Sequence, residues 1–112
     1  MNDETVLLVE GDSANSMLAT AVLEAAGFHV EVAGSAAEAQ RLLHSVRPRI
    51  ILIDVTLPGG EEALALTREL KASPRTSMVP VSYVSSPIKT WTFAQEVREL
   101  ITSSRLEEGK AS

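Results

Sequence analysis

The sequence predicts an α/β domain: a doubly wound parallel sheet of four strands with helices on both faces. Three observations carry that reading. Apolar runs alternate with amphipathic stretches in the order β-α-β-α-β-α-β-α, which favours parallel strands joined by right-handed crossovers. Two of the runs, "TVLLV" and "IILID", are continuous rather than alternating, as in strands covered on both faces. The length, 112 residues, suits one compact domain and leaves no room for a second of ordinary size.

The elements follow in order. Thr5 to Val9 forms the first strand. After "EGDSAN", the spacing of Met17, Leu18, Ala21, Val22 and Ala25 predicts a helix, with Gly27 placed to end it. "HVEVA" (His29 to Ala33) alternates like an edge strand with one wet face. Ser35 and Glu38 form a capping-box signature that opens a helix through Ala39, Leu42, Leu43 and Val46, stopped by Arg47-Pro48-Arg49. "IILID" (Ile50 to Asp54) is the third strand, at the sheet centre, and Glu61 to Ala72 the third helix. Val79 to Ser85 reads as the fourth strand. Trp91, Ala94, Val97, Leu100 and Ile101 outline the last helix. Residues 1–103 are expected to form the domain, and residues 104–112 a flexible tail.

Composition narrows the function classes. A hydrophobic share of 45% with only 4% aromatic residues describes an aliphatic core, too apolar for a disordered chain. There are no cysteines, which excludes disulfides and thiolate metal sites. His29 and His44 are expected at the surface, without a catalytic or metal-binding part. The net charge is -5 with dispersed Lys and Arg, so no nucleic-acid partner is expected. No run approaches a membrane span and "MNDET" is no signal peptide; the cytoplasm is the expected compartment.

The chemistry concentrates where the strands end. In open parallel sheets, ligands gather beyond the carboxyl ends of the central strands. Asp54 ends the third strand and Glu10 the first, with Gly11 and Asp12 following. If those strands are neighbours, the carboxylates crowd one pocket and repel unless a cation or proton lies among them. Magnesium suits such a site, because it accepts one or two protein carboxylates and leaves room for phosphate oxygens. A carboxylate held there can also act as a nucleophile toward phosphorus. The plainer reading of Asp54 is a turn-former before Leu57-Pro58-Gly59-Gly60, and that of Asp12 is a cap on the first helix.

At these residues the sequence resembles the receiver domain of two-component response regulators. The similar features are the acidic turn at Glu10, Ala26-Gly27-Phe28, the Arg47-Pro48 before strand three, and above all Asp54-x-x-Leu57-Pro58. The match runs from about Thr5 to Ile101. The resemblance implies a flavodoxin-like fold, here shortened to four strands in the order 2-1-3-4. It implies Asp54 as phosphoacceptor, and Glu10, Asp54 and the backbone carbonyl of Thr56 as magnesium ligands, with Asp12 as a further candidate. Ser85 would contact the phosphoryl group. A histidine kinase or phosphotransfer protein would be the donor.

Two departures stand out. The family's second acidic residue is replaced by Gly11, which weakens the expected metal site. "YVSSPI" also serves two parts at once: Ser85 ends strand four, while Tyr83 and Ser86-Pro87 occupy the places of the switch aromatic and the Lys-Pro pair. Since a parallel crossover needs a dozen or more residues, the fourth helix and fifth strand are expected to be missing, and Lys89 is a poor substitute for the lysine. Strand four would then be an open edge, making Val81, Tyr83 and Trp91 interface candidates for a homodimer or another protein. The alternative function is a pseudo-receiver that only binds partners. An enzyme is not expected, since no acid–base partner is apparent beyond the acidic residues.

Overall fold

The computed structural model describes residues 4–54, 61–84 and 90–111, the last segment without the side chains of residues 90–92 and 104–111. Its elements are β1 (Thr5–Val9), α1 (Ser13–Ala25), β2 (His29–Ala33), α2 (Ala36–Leu42), β3 (Ile50–Asp54), α3 (Glu61–Ala72), β4 (Val81–Val84) and α4 (Thr90–Ala111). All the strand pairs are parallel and the order is β2-β1-β3-β4, as expected. Among the described residues no fifth strand lies beyond β4.

The uninterrupted apolar strands have a direct cause. Ile50 and Leu52 point into one core with α1 and α4, while Ile51 and Ile53 point into a second core with α2 and α3. In β1, Val6 and Leu8 divide from Leu7 and Val9 in the same way. Successive side chains face opposite sides of a sheet, so a central strand between two helical layers has no position left for a polar residue.

Local chemistry ends the helices as the sequence indicates. Gly27 has φ 99°, a conformation that glycine adopts without a Cβ penalty. The Phe28 N–H donates to the Leu23 carbonyl and the Gly27 N–H to Glu24, both at 3.0 Å, the paired bonds of a Schellman motif. Ser35 Oγ accepts from the Glu38 N–H at 3.1 Å. The Glu38 carboxylate reaches the Gly34 N–H rather than that of Ser35, so the capping box is displaced by one residue.

Helix α2 ends at Leu42, short of the Val46 that periodicity suggests. Arg75, far along the chain, donates to the carbonyls of Leu43 at 3.0 Å and His44 at 3.4 Å, which supports the early turn. Strand β4 begins at Val81 rather than Val79, and α4 runs from Thr90 to Ala111.

Arg98 ties α4 to α1. Its Nη2 donates to the Ala26 carbonyl at the end of α1, and its guanidinium lies 5.4 Å from the centre of the Phe28 ring. One charge-assisted hydrogen bond and a partly exposed cation–π contact together predict that Arg98→Ala lowers stability by about 1–2 kcal/mol. Urea denaturation checks this, with an unchanged slope expected because the folded surface is otherwise preserved.

Candidate functional site

The candidate site lies at the carboxyl ends of β1 and β3. Their register pairs Val9 with Ile53, so the next residues, Glu10 and Asp54, arrive side by side. The Glu10 N–H donates to the Ala33 carbonyl at 2.9 Å, which fixes the end of β1 against β2. Glu10 and Asp54 are only 4% and 3% exposed. Both belong to the rim of an otherwise aliphatic core.

Two carboxyl groups this close cannot both ionise cheaply. Burial pushes the Glu10 carboxyl up to about 7; its hydrogen bond to Asp54 and the negative charges of Asp54 and Asp12 add to the rise. The backbone hydrogen bond from Asp12, N–H to Glu10 Oε1 at 3.2 Å, acts in the opposite direction. Near neutral pH a proton therefore does part of what a cation would do between these groups.

Asp12 is placed differently from its neighbours. It is exposed, and its Oδ1 accepts from the Asn15 N–H at 3.0 Å as the N-cap of α1. Among the described residues, no three or more Asp, Glu, His or Cys side chains gather as a metal centre. The donor set is thus two hard carboxylates, which fits magnesium's habit of taking one or two from the protein and keeping its waters. Thr56, Ser85, Ser86, Pro87, Lys89 and the side chain of Trp91 lie outside the described residues.

The remaining predicted residues sit on β4 or at the surface. Val81 packs partly against the second core. Tyr83 is exposed, and its hydroxyl shares a 2.7 Å hydrogen bond with Thr67 Oγ1, which also donates to the Ala63 carbonyl at 2.8 Å. Thr67 escaped the sequence reading because no local pattern marks a helix hydroxyl that meets an aromatic on a later strand. His29 and His44 are at the surface, and His29 pairs with Glu31 at 2.7 Å. Among the described residues no helix is long and apolar enough to cross a membrane.

Comparison with known proteins agrees with this geometry. The family model of the response regulator receiver domain matches residues 6–100. The protein PilH of Pseudomonas aeruginosa is 28% identical over 107 residues, covering 92% of this chain and 88% of that protein. The signal receiver domain of a signal transduction histidine kinase from Syntrophus aciditrophicus has 25% identity and a TM-score of 0.79, covering 89% of this chain and 91% of that one. The receiver domain of a Pseudomonas aeruginosa sensor histidine kinase, with a magnesium ion coordinated in its active-site cleft, has 22% identity and a TM-score of 0.79, covering 90% and 99%; at that identity the likeness is one of fold. A parallel sheet in this order, with an acidic rim and a matching family model over most of its length, makes the chain a member of the response regulator receiver domain family, a module of two-component signalling.

Proposed function

We propose that the domain is a phosphorylatable switch whose acceptor is Asp54. The observation that carries this reading is the meeting of Glu10 and Asp54 at the rim, both buried and joined by a hydrogen bond. An oxygen of the Asp54 carboxylate forms the new bond to phosphorus while the donor's nitrogen–phosphorus bond breaks. The electron pair of that bond leaves with the donor imidazole, which takes up a proton. A phosphohistidine on a histidine kinase or phosphotransfer protein is the donor class this chemistry requires.

Glu10 and Asp54 would hold magnesium, with the Thr56 carbonyl and the Asp12 carboxylate as further candidate ligands. When bound, the ion supplies positive charge to the phosphoryl oxygens and relieves the repulsion between the carboxylates. The chain's own residues contribute the rest. The aliphatic strand β3 holds Asp54 at the rim, and the ladder of β1 with β2 and β3 holds Glu10 against it. Ser85 would contact the transferred group.

Incubation with a small phosphodonor and magnesium, followed by intact mass, tests the proposal. One phosphate-sized gain, labile in base as an acyl phosphate is, is the expected result. No gain under conditions that label an ordinary receiver would leave only a binding module.

A further inference from the structure

The open edge of β4 points to a specific partner. We infer that two copies of this chain pair through β4 in antiparallel fashion about a two-fold axis at Ser82, joining their sheets. This goes beyond the phosphorylation reading and holds whether or not Asp54 is labelled.

The hydrogen-bond phase of β4 sets the register. The Ile51 N–H donates to the Pro80 carbonyl at 3.0 Å, and Ile51 pairs with Val81. In a parallel ladder this turns the backbone groups of Pro80, Ser82 and Val84 toward β3. Those of Val81 and Tyr83 face outward, and among the described residues no strand lies on that side. A two-fold at Ser82 sets Val81 opposite Tyr83 of the second copy, and Tyr83 opposite its Val81. Each such pair exchanges N–H and C=O in both directions. The same register stacks a β-branched residue against an aromatic on both sides of the axis, a favourable cross-strand combination.

Charge and surface chemistry favour a second copy over an unrelated strand. A two-fold tends to bring like charges of the two copies together, and a chain of net charge -5 repels itself over most of its surface. "VSYV" carries no charge, and the nearby Lys71 Nζ is engaged by the Val79 carbonyl at 3.2 Å. Edge strands are usually blunted with charged residues; none of the residues of β4 is charged, and the backbone of Pro80 is turned toward β3 rather than to the open edge. Beside the edge, Leu64 and Met78 are 53% and 64% exposed and Tyr83 is 43% exposed. Leu64 lies one turn before Thr67, the partner of Tyr83, on the same face of α3. Stable interfaces bury roughly 1,200–2,000 Å², more than one short strand pair supplies, so this apolar flank is needed as well.

Sedimentation of the full chain across a concentration range, with cross-linking of Ser82→Cys, tests the inference. The natural chain has no cysteine, so the introduced thiol is unique. Non-hydrogen-bonded antiparallel pairs bring Cα atoms to about 4.5 Å, within the usual disulfide span of about 4.4–6.8 Å. Mild oxidation should convert Ser82→Cys to a covalent dimer and leave Ser45→Cys, on the α2–β3 connection, monomeric. Leu64→Lys, at an exposed position, should weaken association about tenfold with an unchanged far-UV circular dichroism spectrum. A chain that stays monomeric at high concentration overturns the inference. A dimer in which Ser82→Cys cross-links no better than Ser45→Cys overturns it equally.

Discussion

Asp54→Asn should abolish the phosphate-sized mass gain completely while leaving the fold intact. The amide nearly matches the carboxylate in shape but lacks the nucleophilic oxygen anion that attacks phosphorus. It also removes one of the two like charges at the rim and can donate a hydrogen bond to Glu10, so stability should hold or rise. Intact mass after phosphodonor treatment and thermal denaturation of the same sample read both effects. Persistent labelling of Asp54→Asn at the wild-type level would move the acceptor elsewhere.

The second large effect belongs to Glu10 and to pH. Its carboxyl rises from an ordinary 4.5 to about 7 in the folded chain, first through burial and then through Asp54. Between those values the folded protein holds a proton that the unfolded chain has released. The associated stability is fully present below about pH 4.5 and is lost as pH rises through about 7. The shift corresponds to something on the order of 3 kcal/mol. Metal-free protein should therefore lose stability to urea between about pH 5 and pH 8. Glu10→Gln, neutral at every pH, should flatten that part of the profile and be the more stable protein in alkali. Magnesium should restore wild-type stability above pH 7, where Glu10 is already ionised, should release a proton when it binds below about pH 7, and should do little for Glu10→Gln. A wild-type profile that rises across this interval would show that Glu10 carries no such proton.

Much of the fold was legible because its signals are local or periodic. Gly27 ends α1 through its own backbone freedom, and Ser35 opens α2 through its own hydroxyl. The features that were not legible depend on residues distant in the chain. The early end of α2 involves Arg75, and the short reach of the Tyr83 hydroxyl depends on Thr67. Asp12 illustrates a choice that spacing left open, between a ligand near Glu10 and a helix cap. In the fold its carboxylate caps α1 while its N–H turns to Glu10.

Residue order alone determined the alternation of strands and helices, the burial of "IILID" on both faces, and a carboxylate at the end of each central strand. These follow from side-chain periodicity and from the cost of burying polar atoms, which act along a few residues. Only the tertiary structure decided the register in which β1 meets β3, the one that joins Glu10 to Asp54. It also decided that β4 presents the backbone of Val81 and Tyr83 outward. Both are matters of strand phase, and phase is set by the packing of two helical layers onto one sheet, which no local stretch of sequence encodes.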